Sequence, residues 1–176
     1  MAATFTKIAT VTVGSGGASS IDFSSIPATY TDLCLKFSLR NNNTGSTYDE
    51  MKLTFNGSGG TAYSEKVLYG TGAAAGSASR SSQAYNQYGI VDSDGATANT
   101  FGNGEIYIPN YAGSNNKSYS LDSVQETNAT TAYIYLDAGI WANTSAITQI
   151  TLAPVNGTSP KYMQYSTATL YGIKNA

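Results

Sequence analysis

The residues able to do chemistry are few. The chain has 0 His and 1 Cys in 176 residues, so no Ser-His or Cys-His nucleophile pair can form, and zinc loses its commonest ligand. Glycoside hydrolysis would need two carboxylates about 5–10 Å apart across a cleft. Glu105 with Asp122 or Glu126 could supply such a pair, but their spacing singles out none. Gly70-Thr-Gly72-Ala-Ala-Ala75 fits a G-x-G-x-x-A pattern. A dinucleotide site needs a helix opening at those glycines, and a Ser/Ala/Gly loop follows instead. Asp92-Ser-Asp94-Gly95 begins like a calcium loop. An EF-hand also needs an oxygen ligand two residues on and a Glu at the twelfth position; here those places hold Ala96 and Asn103. What stays open is a less regular Ca²⁺ site on Asp92 and Asp94. The expectation is a protein that is not an enzyme and carries no cofactor.

Tyrosine is the more informative residue type, with 14 in the chain. Its large rigid face and single hydroxyl suit interfaces, and aromatic faces also stack on sugar rings. A contact surface is expected on Tyr107, Tyr111, Tyr133, Tyr135, Trp141 and Tyr162, with about half of the C-terminal tyrosines left to the core.

The elements that must carry these residues are strands. Leu33, Leu35, Phe37 and Leu39 alternate with Cys34, Lys36, Ser38 and Arg40, which puts four apolar side chains on one sheet face and turns Cys34 away from it. Met51, Leu53 and Phe55 repeat the pattern, and Ile134 with Leu136 alternates against Tyr133 and Tyr135. Turn signals separate the runs, among them Asn56-Gly57 and Asn156-Gly157, which supply positive φ at little cost. The pattern predicts roughly nine to eleven short strands, at about 4–13, 20–24, 31–40, 50–56, 64–70, 84–91, 104–109, 116–126, 131–138, 146–153 and 161–173. Long surface loops are expected within about 70–103, and a helical turn could sit at Trp141–Asn143. The fold class is all-β: an antiparallel β-sandwich, forming one domain over 1–176.

Charge narrows the partners. Only 11% of residues are charged and the formal net charge is −2, against roughly a quarter charged in ordinary domains. Nothing draws such a chain to nucleic acid or to an anionic membrane. No apolar run reaches the roughly 20 residues of a span, and Met1–Lys7 lacks the pattern of a signal peptide. Few charges also leave a free protein poorly guarded against association, which suits a part whose task is to associate.

Two end segments carry a resemblance. Thr6-Lys-Ile-Ala-Thr-Val-Thr-Val-Gly-Ser-Gly-Gly17, continuing through Ile21-Asp-Phe-Ser-Ser-Ile-Pro-Ala-Thr-Tyr-Thr-Asp-Leu33, resembles the start of small structural proteins of tailed bacteriophages. Gln164-Tyr-Ser-Thr-Ala-Thr-Leu-Tyr-Gly-Ile173 is similar to their closing strand, and Glu105-Ile-Tyr-Ile-Pro-Asn-Tyr111 to an internal one. The resemblance covers about a third of the chain and transfers no catalytic residue. It implies a jelly-roll-like virion component made in the host cytoplasm: a capsid decoration or cement protein on the outer shell, contacting the major capsid protein or other virion proteins. A homo-oligomer, by analogy a trimer, is expected. The alternative is a tail or head-fibre adhesin that binds host glycans through Tyr, Trp141 and the 70–103 loops.

Overall fold

A computed structural model describes residues 4–128 and 132–174. They form twelve strands: β1 (Phe5–Thr12), β2 (Ile21–Phe23), β3 (Asp32–Leu39), β4 (Tyr48–Phe55), β5 (Tyr63–Gly70), β6 (Ala75–Gln83), β7 (Asn86–Asp92), β8 (Gly102–Pro109), β9 (Lys117–Gln125), β10 (Tyr133–Trp141), β11 (Ile150–Pro154) and β12 (Thr167–Ile173). All named strand pairs are antiparallel, in an eight-stranded sheet ordered β1-β12-β3-β8-β9-β10-β5-β6 and a four-stranded sheet ordered β2-β11-β4-β7. The molecule is a β-sandwich, as the alternation predicts.

The core lies between the sheets. Leu33, Leu35, Phe37 and Leu39 of β3 meet Met51, Leu53 and Phe55 of β4 inside one cluster, with Leu121, Leu152 and Leu170 from other strands. Those are the residues that the period of two turns inward. Cys34 sits on the other face of β3 and is still fully buried, in register between Tyr107 of β8 and Tyr171 of β12.

Four details depart from the sequence reading. The stretch expected to be loop contains β6, whose Ser/Ala/Gly composition gives no strand signal of its own; pairing with β5 along its length supplies the order. The glycine motif is the turn of that β5–β6 hairpin: Thr71 N donates to the Ala74 carbonyl at 2.9 Å, and Gly72 takes φ +80. Trp141 ends β10 and begins no helical turn. The last strand starts at Thr167, later than position 161, because Tyr162 makes isolated bridges to Ala18 and Asn41 instead.

Tyrosine and glycine also work together in the sheets. Tyr119 covers its register partner Gly139, Tyr69 covers Gly76, and Phe37 covers Gly104. A ring folded over a cross-strand glycine restores the packing that a missing side chain forgoes. This pairing accounts for part of the high tyrosine and glycine content.

Candidate functional site

The β9–β10 and β5–β6 hairpins extend the large sheet by four strands past β8. Their inward face carries Tyr119 and Leu121 on β9, Tyr135, Asp137 and Trp141 on β10, and Tyr63, Glu65 and Val67 on β5, all buried. Since side chains alternate strictly, everything between them faces out. On β10 those residues are Ile134, Leu136, Ala138 and Ile140, and on the flanking strands Val124 and Leu68. Ile134 and Leu68 are each 61% exposed and Leu136 53%. Leu136 is the direct register partner of Leu68, and Ile134 that of Val124, so the five large side chains form one patch. Its aliphatic surface is on the order of 400 Å², the size at which a patch on a soluble protein is often functional.

The patch borders two shallow open hollows of 580 and 650 Å³. Their shared lining is Lys66, Ser79 and Ala138, with Ser64, Ser118 and Ser120 adjoining. Small side chains at these positions, Ala138 among them, leave the floor low between Leu136 and Ile140. Such a surface offers shape, aliphatic contact and serine hydroxyls.

Beneath the floor lies a buried acidic group. Asp137 Oδ2 accepts from Asn86 Nδ2 at 2.5 Å, while Oδ1 makes no hydrogen bond of ordinary geometry among the described residues. Burial, helped by the nearby Glu65 charge and opposed by the Asn86 bond, pushes the Asp137 carboxyl up to about 7. Glu65, also raised by burial, accepts from Arg80 Nη1 at 2.9 Å and from the Gln87 amide at 2.9 Å. The Tyr119 hydroxyl is buried there too, and desolvation raises it well above its usual range, opposed by Asn86.

The expected contact residues are distributed differently. Tyr111, Trp141 and Tyr162 are fully buried, and Tyr135 nearly so. Trp141 Nε1 donates to Ser58 Oγ at 2.9 Å, and its ring stacks with Tyr63. The Tyr111 hydroxyl donates to the Pro27 carbonyl. Tyr133 and Tyr135 belong to a second, tyrosine-rich cluster with Val67, Ile90, Tyr48, Tyr69 and Tyr88. Tyr107 alone of the six lies on the outer face, half-buried, donating to Asp32 Oδ2 at 2.7 Å. The outward residues of β10 are not legible from hydropathy, because Ile and Leu rank above Tyr as core residues. Trp141 held the decisive signal: it shares parity with Tyr133 and Tyr135, and a tryptophan sent inward takes both with it.

The Asp92–Asp94 segment is organised by an internal cation. The Arg40 guanidinium, with its side chain 5% exposed, donates to the carbonyls of Thr97 at 2.9 Å, Thr100 at 3.1 Å and Ala96 at 3.1 Å. It also lies 3.5 Å from Asp94 Oδ1. Asp92 is fully buried, its carboxyl raised by desolvation and drawn back by Thr100, Gln125 and Arg40. The carbonyls on which a cation would rely converge on Arg40. On the outer face, Glu105 and Asp122 are register partners, and Glu105 is ion-paired with Lys36 at 2.7 Å.

No protein-family model matches this chain, and no curated protein matches it either.

Proposed function

We propose that this chain is a structural protein of a bacteriophage virion, a decoration or cement protein that docks on the capsid through the outer face of its large sheet. The observation that carries the reading is the patch of Val124, Ile134, Leu136, Ile140 and Leu68 on regular, well-paired strands. Aliphatic surface held open on a rigid sheet has no use in water and gains free energy when another surface covers it. Many copies seated on a repeating shell would multiply modest contacts into firm attachment.

The strand order supports the jelly-roll-like part of the proposal. With the two hairpins β5–β6 and β9–β10 set aside, β1-β12-β3-β8 faces β2-β11-β4-β7, and early strands alternate between sheets. Two Greek keys rolled together give that order. The glycan-binding alternative rests on exposed Tyr or Trp141 and on the loops between 70 and 103. Trp141 is in the core, and β6 and β7 fill much of that segment, which leaves the aliphatic patch as the broader exposed contact surface.

Quantitative mass spectrometry of purified particles tests the reading. Tens to hundreds of copies per particle are expected, together with loss of attachment in a Leu68→Asp, Leu136→Asp double variant that keeps its fold. Copy numbers near those of tail proteins, absence from the particle, or unchanged attachment of the double variant would overturn it.

A further inference from the structure

The four sheet edges are not treated alike. An open edge strand presents unpaired amides and carbonyls, and proteins close it with shortness, charge, bulges or covering side chains. Edge β2 has three residues. Edge β1 carries Lys7 and a register break between Lys7 and Ala9. Edge β7 is covered from the large sheet: Ser123 Oγ accepts from the Ile90 amide at 2.9 Å, and Glu65 Oε2 accepts from the Gln87 amide at 2.9 Å.

β6 has none of these protections over most of its length. Its sequence is Ala75-Gly-Ser-Ala-Ser-Arg80-Ser-Ser-Gln83, and its pairing with β5 runs unbroken from Ala75 to Arg80. The irregularity near Ser82, where φ is 55°, is confined to its last turn. The single charge on the strand is turned back into the molecule, since Arg80 bonds Glu65 and Gln83. What faces solvent is a straight, uncharged edge of small side chains, beside the aliphatic patch.

We infer that β6 is a self-association edge, pairing antiparallel with β6 of a second copy about a two-fold axis at Ala78. This register is self-complementary. Ala78 meets Ala78, Ser77 meets Ser79, and Arg80 meets Gly76, over which the Tyr69 ring lies. No like charges face each other, and the serines can bond across the seam. The joined sheet is continuous, with both aliphatic patches on one face. A seam this short buries less than the roughly 1,000 Å² of a stable interface, so the dimer is weak, with micromolar dissociation, and strengthens where copies are concentrated. The inference does not depend on the virion reading.

Sedimentation of the full chain from low micromolar to several hundred micromolar tests it, with three variants on exposed positions. A reversible monomer–dimer equilibrium is expected. The Ser77→Lys, Ser79→Lys double variant, which sets lysines against each other, should weaken it at least about tenfold. Ala78→Cys should oxidise to a disulfide-linked dimer, since directly paired Cβ atoms lie within bridging reach, whereas Ser120→Cys, exposed on the opposite face and away from the edge, should not. A monomer at every concentration overturns the inference. So does a trimer, which an isologous seam cannot build, and so does a dimer that ignores the lysines.

Discussion

Gly139 on β10 lies directly beneath the ring of Tyr119, its register partner on β9. The ring cannot retreat: Tyr119 is 4% exposed and packs edge-on against Phe55 at 5.4 Å. A methyl at 139 must therefore displace a locked aromatic. Gly139→Ala is expected to destabilise by about 1–3 kcal/mol, as overpacking in a filled core does. Gly70→Ala, where nothing lies within 4 Å of the added carbon, should be neutral or slightly stabilising. Urea unfolding of both variants checks the contrast, and equal costs would show that the ring is free to move.

Asp137 gives stability a dependence on pH. Its folded carboxyl is pushed up to about 7 by burial, while in the unfolded chain it returns to the ordinary range near 4. Between those values the folded state holds a proton that the unfolded state has lost, so stability falls as pH rises and levels off above 7. Glu50, Glu65 and Asp92, all raised mainly by burial, act in the same direction. Asp137→Asn keeps the acceptor for Asn86 and removes the titration. It should be more stable than the parent at pH 8, by an amount on the order of a few kcal/mol, with a flatter profile from pH 5 to 8. Parallel profiles for the two proteins would refute this assignment.

Arg40 holds the 94–100 loop through carbonyls more than through Asp94, whose carboxylate is farther away and partly exposed. Lysine keeps the charge but lacks the planar fork that reaches several acceptors at once. Arg40→Lys is expected to cost about 2–3 kcal/mol and to speed amide exchange selectively over residues 94–101. Asp94→Asn should change little. A larger effect from Asp94→Asn would mean that the ion pair, not the carbonyl set, orders the loop.

Cys34 is buried, and desolvation followed by the Glu105 charge pushes its thiol up to about 11. Since the thiolate is the reactive form, alkylation at pH 8 should run at least about a hundredfold slower in the native protein than in urea. The residue then serves as an unfolding probe for the gain and loss measured above. Native labelling at the free-thiol rate would show that the Tyr107 and Tyr171 cover opens.

Much of the sandwich could be read from the chain. Leu33–Leu39 and Met51–Phe55 fixed two core strands by period alone, because each carries its apolar residues on one parity and polar ones on the other. The His-free composition excluded the commonest nucleophile pairs before any fold was known. On β10 both parities are apolar, Tyr133, Tyr135 and Trp141 on one and Ile134, Leu136 and Ile140 on the other. Hydropathy cannot choose between such faces. Only the assembled sandwich did so, by closing over Trp141 and Tyr135 and leaving the aliphatic row outside. The same holds for β6, where a serine-rich segment with no intrinsic preference became a strand because β5 offered it an edge. Local pattern settled where strands can form; which face was buried, and which edge stayed open, depended on contacts between residues far apart in sequence.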